Sequence, residues 1–291
     1  MKRRLCKEIP PEYDGKSVNA YLRNGINASG SLIKQMKKRE DGILLNGSRV
    51  FVNHTLHKGD RLCVLLGFDD EPYSEIPESD MPLDIIHEDE DLLIINKPAN
   101  CPTHPSLYHY DDSLAGAVMA HFDGKFVFRA VNRLDKGTSG LLVVAKHAYA
   151  HETLKNQLHT DCFIREYLAV ASGVITGGGT IDKPIARCGD SIIKRKVADD
   201  GAYALTEYEA LRNNGKNTLL RLRLKTGRTH QIRVHLSYIG HPLCGDFLYG
   251  NECAELDRPA LHSSHLSLIH PVTGENMSFE AALPDDMARL I

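Results

Sequence analysis

One polar loop in this sequence has the residue types and the position expected of a reactive site. It spans residues 132–140 within RAVNRLDKGTSGLLVVAKHAYAH and runs directly into the apolar segment LLVVA. A loop that ends on a buried strand holds a side chain firmly, which suits catalysis. Asp135 lies in this loop between Arg133 and Lys136, whose charges favour its ionised form. Asp135 is therefore the first candidate for chemistry.

An aspartate near a glycine has a simpler interpretation. Asp135 could cap a turn through Thr138 and Ser139, and for an isolated aspartate this is the commoner situation. The loop alone does not decide between a turn cap and a catalytic carboxylate.

Two later segments offer further candidates. FIREYLAV alternates like a half-buried strand and contains Tyr167. The strand-like run LLRLRL leads through a glycine turn into a predicted helix with His230, Arg233 and His235.

NRLDKGTSGLLVVAK resembles, at nearly every position, the active-site motif of pseudouridine synthases of the large-ribosomal-subunit type, the RluA/RluD group. INKPANCPTHP, FIREYLAV, LKTGRTHQIRVHL, HPLCGD and RPALHSSHLSLIHP resemble further segments of this family, in the same order. The position before Arg133 is usually His in the family and is Asn132 here, a departure that concerns substrate details more than activity.

The resemblance implies roles for several residues. Asp135 would be the catalytic carboxylate, Arg233 its basic partner, and Tyr167 would stack on the target base near its C5 proton. Arg228 and His230 would belong to the same wall, and Arg133 would fill the place that the flipped uridine leaves. By the same resemblance, Lys97 and His104 would have architectural or phosphate-facing roles, and Asp246 would be structural.

The implied reaction isomerises uridine in RNA and requires no cofactor. The carboxylate either attacks C1′ or removes the 2′ proton to give a glycal, and the sequence leaves both routes open.

Charge is segregated along the chain although the net charge is only −3. Residues 1–66 contain 13 Lys and Arg against 6 Asp and Glu, whereas residues 67–91 contain 11 acids and no Lys or Arg. A basic segment of this kind is either a solvated surface or a binding site for a polyanion.

The basic segment predicts two short helices and a hairpin across Asn46-Gly47. Its Ser-rich second helix, ILLNG turn and closing KGDRL resemble a small RNA-binding domain first described in a ribosomal small-subunit protein. The resemblance implies RNA phosphate contacts from the basic residues of the second helix, Lys34, Lys37, Lys38 and Arg39.

We therefore predict an α+β protein with three parts. Residues 1–67 would form the small RNA-binding domain, 68–84 an acidic linker with three prolines, and 85–291 the catalytic domain. From the family resemblance, the catalytic domain would have a mixed, largely antiparallel sheet with flanking helices.

Other patterns limit the alternatives. The seven cysteines include no CxxC pair and predict reduced thiols in a cytoplasmic protein. No apolar run is long enough to span a bilayer.

The His230–His235 pair and an HxxH at 262–265 lack supporting ligands, so we expect no metal. We expect a monomer whose partner is RNA, with ribosomal RNA favoured and transfer RNA as the alternative.

Competing functions remain at this point. A catalytically silent RNA-binding protein would use only the basic segment. A carboxylate hydrolase would need a second catalytic acid, which no motif supplies. A nucleotide-dependent RNA modifier is disfavoured because GxGxxG and GxxxxGK[ST] are absent.

Overall fold

The structure is a computed structural model that describes residues 2–67, 76–106, 109, 111–158, 160–189, 191, 193–250, 253 and 255–291. Residues 68–75 of the predicted acidic linker lie outside the described residues. The predicted domain boundaries therefore stay a prediction.

Residues 2–67, here called the N-terminal unit, contain a four-stranded antiparallel sheet in the order β1-β4-β2-β3. Its elements are β1 (Arg3–Glu8), a 3₁₀ turn (Pro11–Tyr13), α1 (Val18–Asn24), α2 (Gly30–Lys37), β2 (Ile43–Leu45), β3 (Ser48–Arg49) and β4 (Arg61–Gly67). The two predicted helices and the hairpin are confirmed, whereas the sequence patterns did not indicate β1.

Local chemistry explains these elements. The side chains of Ser17 and Ser29 accept hydrogen bonds from backbone N–H groups in the first turns of α1 and α2. Asn46 and Gly47 have φ values of 50° and 86°, which the tight β2–β3 turn requires. The apolar face of α2 is buried, and its Lys side chains are exposed.

The expectation that all cysteines are reduced is wrong. Cys6 of β1 and Cys63 of β4 form a disulfide. The two residues stand directly opposite each other in the antiparallel ladder, with Cα atoms 4.0 Å apart. Because they are 57 residues apart in sequence, only the pairing of β1 with β4 brings them together. The other five cysteines are free thiols.

A nine-stranded sheet, here called the large sheet, forms most of the remaining structure. Its path is β5-β6-β7-β14-β8-β13-β12-β9, with β15 paired to β14. The strands are β5 (Ile85–Glu88), β6 (Leu92–Lys97), β7 (Ser139–Ala145), β8 (Ile164–Ser172), β9 (Gly178–Asp182), β12 (Leu205–Asn213), β13 (Asn217–Leu224), β14 (Leu261–Ile269) and β15 (Asn276–Glu280). A separate hairpin pairs β10 (Ile185–Arg187) with β11 (Arg195–Val197).

The described strands of the large sheet pair antiparallel except at β14 and β7, which run parallel. The predicted α+β class with a mixed, largely antiparallel sheet is confirmed. Every residue of β7 is buried, which explains the continuous apolar run after the polar loop. The helices are α3 (Leu114–His121), α4 (Ala148–Gln157), α5 (Gln231–Tyr238) and α6 (Asp285–Ala288).

The N-terminal unit contacts the large-sheet region through polar groups. The Arg3 guanidinium donates to both carboxylate oxygens of Asp91, at 2.7 and 3.1 Å. The Tyr149 hydroxyl of α4 donates to the Ile26 carbonyl at 2.9 Å, and its ring packs into the N-terminal core. Among the described residues, no helix is long and apolar enough to cross a membrane.

The disulfide leads to a direct prediction. Thiol titration of the denatured, unreduced protein should count five thiols, rising to seven after reduction. Cys63→Ser should lower the free energy of unfolding by about 2–4 kcal/mol, because the bond closes a long loop in the unfolded chain. Cys188→Ser, which removes a free thiol, is the control. Seven thiols before reduction would contradict the disulfide.

Candidate active site

A cleft of about 760 Å³ lies against the middle strands of the large sheet, with lining residues from β8, β13 and β14. Its walls are the loop before β7, the start of β8, the β13–α5 connection and one side of α4. Six of the residues selected from the sequence line it: Arg133, Asp135, Tyr167, Arg228, His230 and Arg233. Segments more than 90 residues apart in the chain thus supply one site.

The basic residues of the N-terminal unit are placed elsewhere. Lys34 and Lys37 of α2, together with Lys38 and Arg39 after it, have exposed side chains and do not line the cleft. These four basic residues therefore lie on a surface that is separate from the cleft lining.

The carboxylate of Asp135 faces two basic side chains. Its Oδ2 lies 3.5 Å from Nη1 of Arg233 and 3.8 Å from Nε2 of His230. The Asp135 side chain is 30% exposed, whereas that of Arg233 is 5% exposed. The carboxylate is therefore open to a substrate on one side and backed by a buried cation on the other.

Arg233 is held in place by a different acid. Its Nε and Nη2 donate to the two carboxylate oxygens of Asp246, at 2.7 and 2.8 Å. Asp246 is fully buried, and the Tyr249 ring lies 5.1 Å from the guanidinium carbon. A bidentate pair fixes both position and plane, which leaves Nη1 directed at Asp135.

His230 stands at the start of α5 with φ 57°, a left-handed conformation that is uncommon for a residue with a side chain. Its Nδ1 lies 2.8 Å from the Tyr249 hydroxyl. Burial lowers the pKa of His230, so the ring is neutral at pH 7. Arg233 is then the permanent positive charge beside Asp135.

Tyr167 projects from β8 into the base of the cleft and is 5% exposed. Burial raises the pKa of its hydroxyl, which is therefore protonated at neutral pH. Its ring supplies a flat face close to Asp135, and its oxygen is a neutral phenol.

The loop that contains Asp135 is anchored through its backbone. Thr103 donates to the Leu134 carbonyl at 2.9 Å, Lys97 to the Lys136 carbonyl at 3.3 Å, and Arg258 to the Gly137 carbonyl at 3.4 Å. Three donors from separate segments thus hold consecutive parts of the loop.

The turn-cap interpretation of Asp135 does not fit these contacts. The backbone N–H of Thr138 donates to the Asp135 carbonyl oxygen, at 3.0 Å, rather than to its carboxylate. The Ser139 hydroxyl contacts Nδ1 of His262 at 2.9 Å. The carboxylate is left facing the cleft.

Asn132 also has a defined place. It is buried at the cleft wall, and its Oδ1 accepts a hydrogen bond from the Val143 N–H at 2.9 Å. The residue that replaces the family's usual His therefore ties the loop to β7.

The charge of the cleft is one-sided. Among the described residues, its lining includes a single carboxylate, Asp135, and six cations: Arg133, Lys136, Lys155, Arg165, Arg228 and Arg233. Such a surface suits a polyanion whose backbone charge is neutralised on binding.

Within the described part of the chain, one group of side chains has the spacing of metal ligands: Asp89, Asp91 and His270. Arg3 and His147 bind Asp91 directly, and none of the three lines the cleft. This group stabilises the contact with the N-terminal unit and has no evident role in the chemistry.

Comparison with known proteins agrees with this geometry. Residues 91–238 match the family model described as RNA pseudouridylate synthase. The chain is 44% identical over 271 residues to the uncharacterized RNA pseudouridine synthase YjbO of Bacillus subtilis, covering 91% of this chain and 95% of that protein. This chain belongs to the RNA pseudouridine synthase family.

Other relatives agree with this assignment. The ribosomal large subunit pseudouridine synthase D of Pseudomonas aeruginosa is 41% identical, with 98% of this chain and 93% of that protein covered. The solved structure of human RNA pseudouridylate synthase domain containing 1 superposes with a TM-score of 0.58 at 27% identity, covering 69% of this chain and 83% of that chain. The family is one of isomerases that act on RNA, and these relatives give no support to a catalytically silent protein.

Sequence reasoning missed several residues of this pseudouridine synthase site. Tyr249 contacts both His230 and Arg233, and the only signal was its position just after the GD motif. Arg258 begins the family-like segment RPALHSSHLSLIHP, but its contact with Gly137 spans 121 residues and no role was predicted for it from the sequence. Arg165 was passed over although it lies two residues before Tyr167, on the same strand face.

The buried Lys97 gives a pH-dependent prediction. Burial lowers its pKa to about 8 from the ordinary 10.5, so the native state loses this proton before the unfolded chain does. Between those pH values the unfolded chain binds more protons, and the unfolding free energy of the wild type should rise relative to that of Lys97→Met by up to about 3 kcal/mol. Urea unfolding at pH 7, 9 and 10.5 measures this. The prediction would be contradicted if the unfolding free energies of the two proteins changed in parallel with pH.

Proposed function

We propose that this enzyme converts uridine to pseudouridine in large-subunit ribosomal RNA, with Asp135 as the catalytic carboxylate. The supporting observation is that Asp135 is the single carboxylate among the described residues that line the cleft, against six Lys and Arg, and that Arg233 lies 3.5 Å from it. The polyanionic substrate and the carboxylate chemistry both fit this arrangement.

The reaction is an isomerisation in which no atom is gained or lost from the RNA except by proton exchange. The N1–C1′ bond breaks, the uracil turns, C5 bonds to C1′, the C5 proton leaves to solvent, and N1 takes up a proton. Asp135 either attacks C1′ or accepts the 2′ proton, and both routes require it ionised. Arg233 favours that form by its charge.

Tyr167 and Arg133 are assigned to the flipped nucleotide. Flipping costs on the order of a few kcal/mol, and stacking on an aromatic ring recovers roughly 1–3 kcal/mol. The buried face of Tyr167 beside Asp135 suits the base. Arg133 is exposed at the rim, where it can occupy the vacated place in the RNA.

The remaining basic residues are assigned to the RNA backbone. Arg228 and His230 border the cleft, and the Arg228 Nε donates to the Tyr203 carbonyl at 2.8 Å, which holds its side chain at the rim. The exposed Lys34, Lys37, Lys38 and Arg39 of the N-terminal unit are assigned to phosphates farther from the target.

Ribosomal RNA is proposed over transfer RNA because several relatives are named ribosomal large subunit pseudouridine synthase D. This substrate assigns the reaction to the cytoplasm. We further propose that the enzyme acts as a monomer.

Asp135→Ala should abolish turnover. Incubation with large-subunit ribosomal RNA tritiated at uridine C5 should release tritium with the wild type, and the variant should be slower by at least about a thousand-fold. Glu209→Gln removes an exposed acid on β12 outside the cleft and should keep full activity. Release by Asp135→Ala at the wild-type rate would refute the assignment.

The Tyr167→Phe variant tests the role of the hydroxyl apart from that of the ring, because it removes the oxygen and keeps the aromatic face. If the phenol assists removal of the C5 proton, tritium release should slow by roughly 10²- to 10⁴-fold while RNA affinity is kept, because stacking remains. Tyr208→Phe, on β12 of the same sheet and outside the cleft lining, is the control. Wild-type turnover by Tyr167→Phe would exclude a required hydroxyl and leave only stacking.

A further inference from the structure

Buried cations in this protein have partners, with one exception. Among the described residues, five Lys or Arg side chains are buried: Lys97, Lys146, Arg165, Arg233 and Arg258. Three of them pair with carboxylates, of Glu88, Asp246 and Asp286 respectively for Lys146, Arg233 and Arg258. Lys97 donates instead to the carbonyls of Pro98, Cys101 and Lys136.

Arg165 has neither kind of partner among the described residues. Its side chain is 8% exposed, and its buried Nε has no hydrogen-bond acceptor. The recorded contact of its guanidinium is with the Phe163 ring, whose centre lies 6.0 Å away. A guanidinium has five N–H donors and stays charged at physiological pH.

Arg165 is directed at the cleft. It precedes Tyr167 by two residues in β8, so both side chains lie on the same face of the strand, and both line the cleft. A Cβ added at Gly227 would come within 3.2 Å of Nη1, so this glycine leaves room for the guanidinium beside the β13–α5 connection.

An uncompensated buried charge is costly in a protein interior, and a bound anion removes that cost. The anion that an RNA substrate brings into this cleft is a phosphodiester. Arg is suited to it because its planar N–H groups match two phosphate oxygens.

We propose that Arg165 binds a phosphodiester next to the target uridine. This inference rests on the proposed function, since it takes RNA as the substrate. Tyr167 would then receive the base while Arg165, on the same strand, holds the backbone of the same nucleotide. The strand β8 would thus fix both ends of the flipped residue.

A different role for Arg165 predicts different results. If Arg165 only adjusted the electrostatics of Tyr167, its replacement would lower kcat. The size of that effect would then not depend on the charge of either phosphate next to the target uridine. If it binds a phosphodiester, its loss should raise KM more than it lowers kcat, and removing that phosphate charge should have the same effect.

The experiment combines a variant with a modified substrate. Wild type and Arg165→Met are compared on an RNA fragment containing the target uridine, with a neutral methylphosphonate at the 5′ or the 3′ phosphate of that uridine. Both tritium release and RNA affinity are measured. Arg221→Met, which removes an exposed cation from neighbouring β13, is the matched control, and melting temperatures verify folding.

We expect Arg165→Met to lose roughly ten- to a hundred-fold in kcat/KM, mainly through KM. The wild type should lose a similar factor with the methylphosphonate at one of the two positions, and the variant should lose almost nothing further there. Arg165→Lys should recover part of the loss, and Arg221→Met should behave as wild type.

Three results would overturn the proposal. The first is an unchanged KM in a folded Arg165→Met. The second is that the variant and the methylphosphonate each lower kcat/KM by their full factor when they are combined. The third is a wild type whose kcat/KM is unchanged by a methylphosphonate at either position. The last test needs no variant and holds even if Arg165→Met does not fold. A wild type that binds RNA but releases no tritium would refute the proposed function, and the affinity comparison would still test Arg165.

Discussion

The chemistry that we propose for this site depends on one buried ion pair, between Arg233 and Asp246. Asp246 binds Arg233 through two hydrogen bonds, and that pair directs the remaining guanidinium edge at Asp135. In the proposed reaction, the partly exposed Asp135 carboxylate must stay ionised while RNA displaces water from the cleft. A fixed cation meets this need without reorganisation, because its position is set before the substrate arrives.

The backbone of the loop around Asp135 is held by hydrogen bonds. The carbonyls near Asp135 are bound by donors from Thr103, Lys97 and Arg258, so the loop has little freedom. Among the described residues that line the cleft, three have a buried side-chain polar atom without a hydrogen-bond partner: Asn132, Thr138 and Arg165. Only Arg165 of these three carries a charge, and for this reason the proposal assigns it an anionic partner from the RNA backbone.

The N-terminal unit is joined to the same framework. Tyr149 of α4 packs into the N-terminal core, while Lys155 of the same helix lines the cleft. Arg3 adds an ion pair with the buried Asp91. Helix α4 therefore connects the N-terminal core with the wall of the cleft.

The sequence by itself predicted the family, the α+β class and Asp135 as the candidate carboxylate, because several motifs that resemble the family are present in local segments and in the same order. Only the tertiary structure decided which distant residues meet. The Cys6–Cys63 bond, the contact of Arg258 with the Asp135 loop and the missing partner of Arg165 all depend on long-range pairing. No local pattern encodes such pairing, since it results from how the strands assemble into sheets.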